Sequence, residues 1–281
     1  MSQDYRYLAI ADANKPRPGR RLVQPILYTV IRALSRPTIE GLQNLPRQGP
    51  VILIYNHIHA IDPFVTVGLL PRYGVPMSKI ENYAIPVFGP LIRWFGVIPV
   101  KRGEADVWAI KAANAVLEAG HVLLIAPEGT RSKDGALQIG KEGLAFMASK
   151  TDPVIVPVGI TGSRALGASL KHLRRVPLLL RYGAPFRLRW PQGKPTRDHL
   201  RLLTDAAMGR LAALLPTEMR GVYREPQPQW EDWLRPADQH PARVSAAALR
   251  RQTWRDIAGG CLRHGLRRSR LRRWRPALSG S

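Results

Sequence analysis

Apolar residues follow two rhythms along this chain. Short unbroken runs at Pro50–Tyr55, Val97–Val100, His121–Ala126 and Val154–Gly159 have the length and continuity of strands buried on both faces. Between them the apolar positions recur every three to four residues. Glu104–Ala119, with Val107, Ile110, Ala113 and Leu117 in step, and Lys141–Ser149 therefore read as helices. Arg20–Leu34 reads the same way, with Leu22, Ile26, Val30 and Ala33 on one side and arginines near its ends. A helix of that kind either covers a core or lies in a bilayer interface, and the pattern admits both. Pro177–Arg181 and Phe186–Trp190 read as edge strands, and Asp198–Leu215 as a closing helix stopped by Pro216.

Strands alternating with helices predict an α/β fold: a mixed, largely parallel sheet flanked by helices. To this the pattern adds an N-terminal interfacial helix and a basic C-terminal extension. The expected organisation is a tail over 1–21, one folded domain over 22–220, and an Arg-rich extension over 221–281 that is partly disordered or amphipathic helical. In the extension, Ala246–Ile257 and Leu262–Trp274 have basic amphipathic character.

Charge sharpens the picture. Across 281 residues, 43 Lys and Arg face 20 Asp and Glu, a formal net charge of +23. Such a surface attracts polyanions, whether nucleic acid, anionic lipid headgroups or phosphorylated substrates. Of these residues, 30 basic and 15 acidic ones precede Gly221, and 13 and 5 follow from it on. The extension is therefore the more densely basic part. A single cysteine, Cys261, excludes an internal disulfide framework and any Cys-based zinc site. The longest stretch without Asp, Glu, Lys or Arg is Gln48–Ile61, 14 residues, short of the ~20 that a transmembrane helix needs. The N-terminus has no signal-peptide layout. The expected place of action is peripheral, on the cytoplasmic face of a membrane.

The chemistry gathers at strand ends. The first buried run leads directly into Asn56-His57-Ile58-His59-Ala60-Ile61-Asp62. A histidine leaving a strand, with a carboxylate five residues on, is a candidate general base held in one tautomer. On one regular helix the pair would diverge by about 140°, so the pairing needs a turn; Pro63 suits the first turn of a helix beginning there. A second cluster, Gly96-Val97-Ile98-Pro99-Val100-Lys101-Arg102, ends a strand with two cations. A third, Pro127-Glu128-Gly129-Thr130-Arg131-Ser132, again follows a strand, and Arg131 offers a planar fork suited to phosphate oxygens. In α/β sheets ligands sit beyond the carboxyl ends of strands, so the three clusters can converge on one pocket as a base beside a phosphate clamp. A metal held by His57 and His59 would lack further ligands nearby. A nucleic-acid binder would need a helix-turn-helix, zinc finger or aromatic RNP signature, which the chain lacks.

Taken together, these blocks resemble the glycerophospholipid acyltransferase family. Asn56, His57 and Asp62 match its NHxxxxD block; Gly96, Ile98 and Arg102 match GxIxxxR; Pro127–Ser132 matches PEGTRS; Val156–Ile160 matches VPVGI. The resemblance runs from about Leu22 to Leu215. The family usually has Ser or Thr where this chain has His59, and Phe where it has Ala126. The resemblance implies that His57 deprotonates a glycerol hydroxyl, oriented by Asp62, and that Arg102 and Arg131 hold the acceptor's phosphate. It further implies that Glu128, Gly129 and Thr130 shape the acceptor site. The implied partners are a lysophospholipid acceptor, above all lysophosphatidate, an acyl-CoA or acyl carrier protein as co-substrate, and an anionic membrane surface, with no metal and no other cofactor. Another lyso-lipid or glycerol-3-phosphate as acceptor stays open, as does a lipid binder without catalysis.

Overall fold

The computed structural model describes residues 18–103, 106–166 and 175–237. Residues 1–17 of the expected 1–21 tail, Cys261 and the two basic amphipathic segments lie outside these residues, and residues 18–21 begin a helix. The first apolar run forms β2 (Val51–Tyr55), every residue of it buried. β2 is flanked by β5 (Val122–Ile125) and β6 (Val154–Thr161), both parallel to it. Beyond β5 come β3 (Gly74–Lys79) and β4 (Ile98–Val100), also parallel. On the other side β7 (Val176–Tyr182) runs antiparallel to β6 and parallel to β1 (Ser35–Glu40). β8 (Phe186–Leu188) pairs with the start of β6 and with β9 (Leu234–Pro236), completing a nine-stranded sheet.

The side-chain alternation of β2 explains the layers, since successive residues of a strand point to opposite faces. Ile52 and Ile54 join a core with α4 (Val107–Glu118), α5 (Gly143–Thr151) and α6 (Arg197–Ala212). Val51, Leu53 and Tyr55 point the other way, toward α1 (Pro18–Leu34) and α2 (Asp62–Leu69). α3 (Phe88–Phe95) packs beside α1. Local chemistry sets the helix ends. Asp106 Oδ1 accepts the N–H groups of Trp108 and Ala109 at the start of α4, and Thr196 and His199 form a reciprocal cap on α6.

Three differences from the sequence reading have physical causes. Pro177–Arg181 lies inside the sheet, because Ser35–Glu40, exposed at alternate positions and containing Pro37, forms the strand outside it. α6 ends at Ala212, before Pro216. Residues 221–237, read as the beginning of the extension, belong to the packed body. Tyr223 and Leu234 are buried, and the ring of Trp230 fills the space left by the missing side chain of Gly209.

Candidate active site

β2 and β5 are adjacent and parallel, so the loops that follow them leave the same edge of the sheet side by side. The β2 loop turns through Ile58–Ile61, and α2 begins at Asp62 with Pro63 in its first turn. This turn brings Asp62 back to the histidine: Oδ2 lies 3.0 Å from His57 Nδ1. The same oxygen accepts the backbone N–H groups of Ile58 at 2.8 Å and His59 at 2.6 Å. Asp62 is fully buried, and three donors converge on Oδ2 at the positive end of a helix, an arrangement suited to an ionised carboxylate. The carboxylate calls for a proton on Nδ1, which leaves Nε2 as the basic nitrogen. The Tyr55 ring meets the imidazole edge-on, 6.2 Å between centroids.

Asn56 anchors the loop at its root. Its Nδ2 donates to Ile160 O at 3.0 Å and its Oδ1 accepts Ile160 N–H at 2.7 Å. The amide thereby prolongs the β2–β6 ladder by one step after the backbone of β2 has turned away.

The β5 loop is fastened to the β2 loop from within. Glu128 is buried, its Oε1 accepting His57 N–H at 2.9 Å and its Oε2 accepting Gln138 N–H at 3.0 Å. Burial pushes its carboxyl up to about 6, against the lowering effect of those two donors and of His57. Ser132 N–H donates to His57 O at 2.7 Å, so histidine and loop are joined on both sides of the His57 peptide. Gly129 makes the turn with φ +69°, a conformation that side chains disfavour.

Arg164, which the sequence reading does not single out, binds both loops. It donates to Ile58 O at 3.4 Å, Asp134 O at 3.2 Å, Ser132 O at 3.2 Å and Lys133 O at 2.7 Å. All its partners are backbone carbonyls, which leave no side-chain signature in a sequence.

Next to Glu128 opens a groove of about 710 Å³, bordered by Thr130, Arg131, Lys133, Lys141, Ile139 and Val222. Arg131, Lys133 and Lys141 are exposed there. Arg102 is exposed beyond β4. Its strand is three places from β2, roughly 14 Å at about 4.8 Å per strand. The structure thus brings His57, Asp62 and Glu128 into direct contact and sets Thr130 and Arg131 beside them. Arg102 is placed on the same sheet edge, farther along. His59 contributes its backbone N–H to Asp62, and its Nδ1 accepts Ile61 N–H at 3.4 Å. Among the described residues no group of three or more His, Cys, Asp or Glu is arranged to hold a metal ion.

Residues 36–161 match the family model described as Acyltransferase. The 1-acyl-sn-glycerol-3-phosphate acyltransferase LPAT1, chloroplastic, of Arabidopsis thaliana is 34% identical over 128 residues, covering 44% of this chain and 36% of that protein. The 1-acyl-sn-glycerol-3-phosphate acyltransferase of Cocos nucifera is 32% identical over 183 residues, covering 61% and 59%. The chain therefore spans between 36% and 59% of the length of these two relatives. Among solved structures, the 1-acyl-sn-glycerophosphate (LPA) acyltransferase PlsC from Thermotoga maritima superposes with a TM-score of 0.50 at 21% identity, over 75% of this chain and 87% of that one. This likeness shows a shared fold.

Proposed function

We propose, from the match of residues 36–161 to the Acyltransferase family model, that the chain is an acyltransferase that moves a fatty acyl group from an acyl thioester to the free glycerol hydroxyl of lysophosphatidate, making phosphatidate. The observation that carries this reading is the His57–Asp62 pair at the mouth of the sheet, beside a cationic groove. His57 Nε2 takes the hydroxyl proton as the alkoxide oxygen attacks the thioester carbonyl. The C–S bond then breaks, and the departing thiolate receives that proton from the imidazolium. Asp62 stabilises the imidazolium in between. The step needs neither an acyl-enzyme nor a metal. General base catalysis of this kind contributes about 10²–10⁴-fold, and positioning adds the rest.

The acceptor's phosphate is assigned to Arg131, with Lys133 and Lys141 on the same groove, and to Arg102 from the far side. Thr130 lines the acceptor's path, while Gly129 shapes the turn. Glu128 has both oxygens committed to backbone N–H groups, so its proposed role is to position His57. The donor, acyl-CoA or acyl carrier protein, is the co-substrate. Because acceptor and product are lipids, the reaction is placed at a membrane surface.

The test is acyl transfer to lysophosphatidate with labelled acyl-CoA and, separately, acyl carrier protein as donor. Wild-type chain should form phosphatidate. His57→Ala should lose at least a hundredfold in kcat, and Arg131→Ala should mainly raise KM for the acceptor. Near-native turnover by His57→Ala would end this reading.

A further inference from the structure

The β5 loop leaves its strand at Ala126 and returns at Lys141, whose N–H donates to Pro127 O at 2.8 Å. Arg131 and Lys133 ride on this excursion, and Lys141 closes it. A long loop without regular structure does not hold such side chains in place by itself, because each free residue costs entropy to order. Arg164 holds its outgoing limb through the carbonyls of residues 132–134. The returning limb rests on a different part of the chain. Leu137 N–H donates to Met219 O at 2.9 Å, and Val222 N–H donates back to Leu137 O at 3.4 Å.

At Gly140 this limb meets α6. A Cβ there would stand 2.8 Å from Met208 and 2.9 Å from Thr204, so the backbone itself lies on the helix. Both polar groups of the glycine are taken. Tyr223 Oη accepts Gly140 N–H at 3.0 Å, and Arg201 Nη1 donates to Gly140 O at 3.0 Å. Asp205 ties the two holders together. Arg201 grips it with two prongs, Nε to Oδ2 at 2.8 Å and Nη2 to Oδ1 at 2.7 Å, and Tyr223 Oη donates to Oδ1 at 2.7 Å. Arg201 and Asp205 stand one turn apart on α6, and the buried Tyr223 ring packs 5.7 Å from that of Trp230.

None of these three side chains borders the groove, yet each lies one step from residues that do. Lys141 follows Gly140 directly. Two residues before it, Gln138 donates its N–H to Glu128 Oε2 at 3.0 Å and its side-chain amide to Arg131 O at 3.4 Å. An apolar contact would fix only how deep the limb lies; connected hydrogen bonds also fix its direction.

We propose that Tyr223, Asp205 and Arg201 are positioning residues for the acceptor's phosphate. By clamping Gly140 they set where Lys141 stands and, through Gln138, where the turn carrying Arg131 stands. The inference deepens the acyltransferase reading and rests on its assignment of the phosphate to this groove.

The test is calorimetric binding to the full chain without any acyl donor. The probes are a short-chain lysophosphatidate below its micellar concentration and the monoacylglycerol of the same chain length. Wild type should prefer the phosphorylated probe. Tyr223→Phe keeps the ring against Trp230 and deletes the hydroxyl; it should cut that preference by about three- to tenfold, the worth of roughly one hydrogen bond. Asp205→Asn loosens both Tyr223 and Arg201 and should cut it at least as far. In acyl transfer both variants should raise KM for lysophosphatidate and leave that of the donor unchanged. A purely structural role would lower the binding-competent fraction for both probes alike and leave the preference intact; that result in both variants overturns the proposal. A wild type without the preference would sink the phosphate assignment, and this inference with it. A wild type that shows the preference, loses it in the variants and transfers no acyl group would sink the enzymatic reading alone.

Discussion

Glu128 Oε1 accepts the backbone N–H of His57 at 2.9 Å, so the residue that follows Pro127 in one loop fixes the peptide that begins the other. Its other oxygen is held by Gln138 N–H. Burial raises the carboxyl from 4.5 to about 6. Between those two pH values the folded protein holds a proton that the unfolded chain has released, so this group makes folding less favourable as pH rises through the interval. The contribution is on the order of 2 kcal/mol, from about 1.4 kcal/mol per pH unit. Glu128→Gln removes it. In urea unfolding across pH 4.5–7, the stability difference, wild type minus Glu128→Gln, should shrink by up to that amount as pH rises. A constant difference would mean that Glu128 does not titrate there.

Asp62→Asn keeps the shape but replaces a carboxylate whose Oδ2 receives three donors. The variant should lose about 1–3 kcal/mol of stability. Its kcat for acyl transfer should fall at least tenfold, because the imidazolium loses its counter-charge. Thermal melting and turnover, measured together, check both effects.

Asn56→Asp is expected to be worse than its size suggests. The amide donates to Ile160 O and accepts from Ile160 N, and a carboxylate supplies only the acceptor. The carbonyl would then face a buried negative oxygen. A loss of about 2 kcal/mol or more is expected, visible as a lowered urea midpoint.

Arg164→Ala should remove one of the fastenings between the two loops, the hydrogen bonds to Ile58 O, Ser132 O, Lys133 O and Asp134 O, while leaving the His57–Asp62 pair intact. The expected result is a fall in kcat larger than any change in KM. Partial recovery is expected on adding guanidinium at millimolar concentration, too low to denature. Arg164→Lys should recover little, since an ammonium cannot reach carbonyls of both loops as a planar fork does. Equal loss in kcat and stability with no response to guanidinium would reduce Arg164 to a purely structural role.

The buried strands were legible because their neighbours on both sides demand continuous apolar runs, as β2 shows. The strands that escaped were those with other reasons to exist. β3 contains Gly74 and Pro76, and β1 is exposed at alternate positions. Without β1, the strand at 176–182 could only be read as an edge. In the site, the pairing of His57 with Asp62 was legible from the blocks that resemble the family, with the condition that a turn intervene between the two, and the structure has that turn. The inward orientation of Glu128 was not, because its partners are the backbone N–H groups of residues 71 and 10 positions away. The two readings of α1 were undecidable from periodicity, since the helix is apolar on opposite sides and the fold occupies one of them.

Tyr223 gives the segment after Arg220 a bearing on experimental design. Its hydroxyl accepts Gly140 N–H at 3.0 Å and donates to Asp205 at 2.7 Å, while the next residue, Lys141, donates its N–H to Pro127 O. A truncation at 220 would remove a support of the loop that carries Glu128 and Arg131, and loss of activity in it would be misread as a need for the basic extension. A cut placed after Ala237, past the pairing of β9 with β8, separates the two questions.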